Sequence, residues 1–126
     1  NFLHLTVNYL TVNVGGTQIP STPFTPDFDT NAYARSFMSL FLGTGILFEN
    51  RGNSISRDNY EGGYTLWAFD LPPDQCEGHI SSIKGGVLGI NVRFANPLND
   101  TINLVVFAEI DDTIEIDKSR NIFANF

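Results

Sequence analysis

The sequence predicts an all-β, antiparallel sandwich of about six to eight strands with one short helix. Three observations carry that expectation. The run GGYTLWAFDLPPD (residues 62–74) places large side chains on both faces of an extended segment, between a glycine pair and a proline pair. Leu88, Ile90, Val92 and Phe94 alternate with Gly89, Asn91 and Arg93, which is the pattern of a strand with one wet face. Eleven Phe and four Tyr supply large flat side chains that favour strands.

The elements follow in order. Leu3, Leu5, Val7 and Tyr9 alternate with polar residues, and the apolar phase then moves to Leu10, Val12 and Val14. A one-residue phase change of this kind predicts a β-bulge. Gly15-Gly16 reads as a tight hairpin turn that returns through Thr17 to Ile19. Pro20, Pro23 and Pro26, spaced by threonines and a serine, predict an extended surface loop.

Asp29-Thr30 is positioned to cap a helix over residues 31–42, in which Tyr33, Phe37, Leu40 and Phe41 recur at helical spacing and Gly43 marks the end. Residues 50–63 (NRGNSISRDNYEGG) are polar and read as a long loop. The 62–74 run follows as a strand buried on both sides. Ile80 to Ile83 is a short helical turn or an edge, and residues 88–94 are the next strand. After the turn NPLND (96–100), Ile102, Leu104, Val106, Ala108 and Ile110 form the inner face of another strand, with Val105 and Phe107 opposite. Ile114 and Ile116 begin one more short strand.

Composition narrows the function. The length suits a single domain spanning residues 1–126, with no internal repeat. Seven Lys plus Arg against fourteen Asp plus Glu leave a net charge of −7, which argues against direct binding of a phosphate backbone. No apolar run approaches the roughly 20 residues of a membrane-spanning helix. Cys76 is the only cysteine, so no intrachain disulfide is expected, which fits a reducing compartment. The chain opens on Asn1 and its one methionine is Met38, so it reads as a fragment or processed product.

Candidate chemistry is sparse. Glu109, Asp111, Asp112, Glu115 and Asp117 cluster near the end, but without the spacing of a calcium loop. A solvated face, or ion pairs with Lys118, Arg120 or a neighbouring subunit, is the favoured reading. His4 and His79 lack a recognisable nucleophile motif, although Ser81 and Ser82 lie near His79. Cys76 has no activating cation beside it. Gly43-Thr44-Gly45 lacks the Gly-Lys-Ser/Thr of a phosphate loop. Asn99-Asp100-Thr101 matches a glycosylation sequon, which matters only for a secreted protein. Trp67 and the phenylalanines could form a sugar-binding platform, but strand-alternating placement favours core packing. Arg51 and Arg57, with Asp58, Tyr60 and Glu61, give a mixed surface of the kind that protein interfaces use. The candidate interface set is therefore Arg51, Arg57, Asp58, Tyr60, Asp111 and Asp112, with no catalytic, cofactor or metal residue expected.

Three segments together resemble a known family. They are YARSFMSLFLGTG (33–45), GYTLWAFDLPPD (63–74) and FAEIDDTIEIDKSRNIF (107–123), and VNVGGTQIPSTPFTPDF (12–28) precedes them in matching order. They are similar to the C-terminal part of the hexon-like major capsid proteins of Polinton/Maverick elements and adintoviruses. The resemblance implies an antiparallel jelly roll of about eight strands, the second half of a double jelly-roll protein. It also implies a homotrimeric, pseudo-hexagonal capsomer that contacts neighbouring capsomers and the adjoining N-terminal jelly roll. The first jelly roll is absent from this chain. The implied place is a virion capsid, with synthesis in the host cytoplasm and assembly in the nucleus. The alternatives are a stand-alone or domesticated jelly-roll module that binds a glycan or receptor, and, less favoured, a β-sandwich hydrolase using one of the histidines.

Overall fold

The computed structural model describes residues 1–71, 86–109, 114–116, 118–120 and 122–124. These residues form β1 (Val7–Val14), β2 (Thr17–Phe24), α1 (Ala34–Leu42), α2 (Arg57–Gly63), β3 (Leu88–Phe94), β4 (Ile114–Ile116) and β5 (Ile122–Ala124). Strands β2, β1 and β3 make an antiparallel sheet in that order, and β4 pairs with β5 in a separate two-stranded ladder. The antiparallel β character is as expected. An eight-stranded sandwich is not formed among the described residues.

The β1–β2 hairpin closes where the glycine pair predicts. Val14 pairs with Thr17, and Gly15 and Gly16 adopt φ of +54° and +87°. A two-residue turn with both φ positive matches the right-handed twist of the strands, which is why glycine is needed there. The predicted phase change in β1 is present on the β3 side, where pairing steps from Val7↔Phe94 to Tyr9↔Arg93 and leaves Asn8 as the extra residue. The strand starts later than its alternation suggests. Leu5 and Thr6 take positive φ, and the His4 Nδ1 accepts the Thr6 N–H at 3.1 Å, which closes a turn just before Val7.

The proline segment corrects the expectation of a surface loop. β2 runs through Pro20 and Pro23, but pairing steps from Val12↔Ile19 to Leu10↔Phe24, so residues 20–23 bulge out of the ladder. Proline is tolerated because β2 is an edge strand and needs no N–H at those positions. The carbonyls of the bulge still need donors, and side chains supply them. Thr11 Oγ1 donates to Ile19 O, Gln18 Nε2 to Pro20 O and Ser21 O, and the Arg35 guanidinium to Thr22 O and Pro23 O. Arg35 also lies 4.7 Å over the Phe24 ring, so one α1 residue holds the edge by charge and by stacking.

Helix α1 begins at Ala34 instead of residue 31. Asp27 Oδ1 accepts the Thr30 N–H at 3.2 Å, Asp27 bridges to Ala32, and Asn31 has φ +57°, so this stretch is a turn leading into the helix. Gly43 is the C-cap, and its N–H donates to Ser39 O. A second helix, α2, occupies what reads as loop. Ser56 Oγ accepts the Asn59 N–H at 3.1 Å and Asp58 sits in the first turn, where it complements the helix dipole. The sequence hides it because Tyr60 is its one large apolar residue, so no helical period can be read.

The 62–74 run needs a larger correction. Its glycines end α2, Tyr64 makes a single bridge to Phe2, and residues 65–71 form no ladder. Residues 72–74 lie outside the described residues, as do Ile80 to Ile83. Alternating apolar character reports buried faces, not the presence of a neighbouring strand. Burial is what the structure retains: Leu66 and Trp67 pack against Phe28, Tyr33, Leu40 and Tyr60, while Trp67 and Phe69 pack against Val7, Leu10 and Phe24 on the sheet. Residues 101–109, expected as a strand, are likewise unpaired, and Ile110 lies outside the described residues.

The end of α1 and the 65–71 segment approach closely at Gly43. A Cβ placed there would lie 2.4 Å from the carbonyl carbon and oxygen of Ala68. Backbone cannot yield as a flexible side chain can, so Gly43→Ala forces α1 and the 65–71 segment apart. The expected loss is about 1–3 kcal/mol of unfolding free energy in a denaturant titration. An unchanged midpoint would show that this contact is loose.

Candidate assembly surface

The polar stretch before and within α2 divides the predicted interface residues. Arg51 is exposed and forms an ion pair with Glu49. Asp58 is exposed on the first turn of α2. Arg57 is exposed but engaged: its Nη2 donates to Asn31 O at 2.7 Å, and its guanidinium lies 5.0 Å over the Tyr33 ring. Tyr60 is the correction. It is fully buried and cannot meet a partner, because it is the anchor that seats α2 on the aromatic cluster. Asp111 and Asp112 lie outside the described residues, as do Asp117, His79, Ser81, Ser82 and Cys76.

Around Tyr60 the rings form a chain of contacts. His4 stacks on Phe28 at 4.1 Å, Phe28 on Tyr33 at 5.1 Å and Tyr33 on Tyr60 at 6.0 Å, while Phe37 and Trp67 meet Tyr60 edge-on. His4 is therefore a packing residue whose Nδ1 is occupied by the Thr6 amide. Trp67 is half-buried and packs against both clusters, as core placement predicts. The Tyr33 hydroxyl donates to Glu61 Oε2 at 2.9 Å. Burial, then that hydrogen bond and the Glu61 charge, raise the Tyr33 phenol above its ordinary pKa, with Arg57 opposing. Burial alone drives the Tyr60 phenol far higher still.

The conspicuous surface lies elsewhere, on the segment that sequence reading assigns to a buried strand. Leu104, Val105, Val106 and Phe107 are 61, 72, 53 and 91% exposed. Val87, just before β3, is 84% exposed. Consecutive large apolar residues in water are unusual for an isolated domain and mark surfaces that meet a partner. The sequence carries the signal in its apolar character, but the missing ladder could not be read from it.

Among the described residues, no group of three or more His, Cys, Asp or Glu side chains is arranged to hold a metal ion. No described helix is long and apolar enough to cross a membrane. Comparison with protein-family models, with curated proteins and with solved structures gave no match.

The Tyr60 hydroxyl is buried without a hydrogen-bond partner, so Tyr60→Phe should leave stability at neutral pH unchanged or raise it by up to about 2 kcal/mol. The folded state needs this phenol neutral, so its contribution is intact below the ordinary tyrosine pKa of about 10 and fades as the pH rises through that value toward the raised folded one. Thermal melts of both proteins from pH 7 to 11 should therefore diverge at the alkaline end, with the phenylalanine variant ahead. A variant markedly weaker at pH 7 would mean that the hydroxyl has a partner.

Proposed function

We propose that this chain is a structural, non-enzymatic capsid domain that assembles as a homotrimer and belongs to the second jelly roll of a double jelly-roll capsid protein. The observation that carries the reading is the exposed apolar run Leu104, Val105, Val106 and Phe107. A chain that leaves such surface open is a component whose fold is completed by neighbours. The resemblance of residues 33–45, 63–74 and 107–123 to Polinton/Maverick capsid proteins supplies the kind of assembly. The net charge of −7 fits a shell that does not itself hold the genome. Under this reading an adjoining N-terminal jelly roll and neighbouring capsomers are the partners, and contacts are spread over edges and loops and not concentrated in a pocket.

Electron microscopy of the chain expressed together with its natural flanking sequence tests the proposal. Threefold, pseudo-hexagonal particles or closed shells are expected. Persistently monomeric protein, particularly protein that captures a sugar on a glycan array, would instead support a binding module.

A further inference from the structure

The central sheet has two edges, and only one is protected. On β2 the edge is interrupted by a bulge, carries Pro20 and Pro23, and has carbonyls occupied by Gln18 and Arg35. These are the devices that keep edge strands from pairing with other chains. β3 has none of them: its seven residues contain no proline, its pairing with β1 is regular from Tyr9 to Val14, and its outer edge has no partner among the described residues. Its one charged residue, Arg93, is turned onto the Tyr9 ring at 4.6 Å.

The same chain carries a strand without a sheet. Ile102, Leu104, Val106 and Ala108 would share one face of an extended strand, yet residues 102–108 make no ladder. Their own β3 edge does not receive them. Beyond Phe94 the Ala95 N–H is tied to Thr6 O at 2.8 Å, and residues 96–100 with Ile102 line a depression of about 300 Å³ beside Leu5 and Thr6. The chain is thereby led along the N-terminal segment instead of reversing beside β3.

We propose that residues 102–108 of one copy pair antiparallel with the open edge of β3 in a second copy. This deepens the assembly role proposed above, and rests on that reading only in taking a copy of this chain as the occupant. Both halves of the contact are present in the one sequence and match in length at seven residues. With Asn91 opposite Val105, the residues Ile102, Leu104 and Val106 stand beside Phe94, Val92 and Ile90. The apolar set of the free strand then extends the apolar face of the sheet, where those three β3 residues pack against Val7, Leu10 and Phe24. The exposed surface of residues 104–107 is on the order of 500 Å² at the usual areas of such side chains. Passed head to tail around a threefold axis, the contact closes a ring in which every copy gives one strand and receives one.

Two single-cysteine proteins test the contact, Asn91→Cys and Val105→Cys, each carrying Cys76→Ser and a different mass tag. Mixed and treated with a short bismaleimide, they should give the hetero-tagged dimer in preference to either homodimer. Absence of that product, or cross-linking of an Asn91→Cys/Val105→Cys double variant only within monomers, would overturn the exchange. Sedimentation of the unmodified chain separates the two readings. Oligomers without the cross-link reject this contact and leave the assembly role standing, whereas monomers throughout reject both.

Discussion

Trp67 is the contact on which the rest of the structure depends. It touches the aromatic cluster under α1 and α2 and also the apolar face of the β1–β2–β3 sheet, so one side chain joins two bodies that would each be too small to fold alone. Its neighbours fix its position. Thr65 Oγ1 donates to Tyr60 O at 2.7 Å as the chain leaves α2, and Ala68 rests against Gly43 at the end of α1. The segment acts as a wedge between layers, and its lack of a ladder is compatible with that role because its contribution comes from side chains.

The same economy shapes the surface. Three strands, one of them bulged, leave a sheet with an edge to spare, and the protein treats its edges differently. Arg35 and Gln18 close the β2 side by occupying its carbonyls. Among the described residues nothing pairs with the β3 side, and the chain carries an apolar segment that this edge does not accept. The net charge of −7 opposes indiscriminate association of such surfaces.

Much of the local structure was legible in the sequence because local chemistry dictates it. The Gly15-Gly16 turn, the phase change at Tyr9 and Leu10, the end of α1 at Gly43 and strand β3 each depend on a few adjacent residues. α2 was not legible from periodicity, although Ser56 three residues before the amide it caps was a usable signal. Residues 65–71 and 102–109 defeated pattern reading for a shared reason. Alternation tells which side chains want to be buried, but pairing is a non-local property decided by where the chain is led. Of the candidate interface, Arg51 and Asp58 are exposed as charge predicts, Arg57 is exposed but laid over the Tyr33 ring, and Tyr60 serves the core because its ring was worth more buried than exposed. The apolar surface went unrecognised because the same residues read as core.

The central claim is that residues 102–108 and the outer edge of β3 are open in a single copy and covered in the assembly. Amide hydrogen exchange measured over a wide range of protein concentration addresses it directly. The account predicts rapid exchange of residues 102–108 in dilute protein and joint protection of these amides and the outward amides of β3 as concentration rises, with the β1–β2 hairpin unchanged. Exchange at 102–108 that is equally fast at every concentration, in protein shown to be associated, would contradict it.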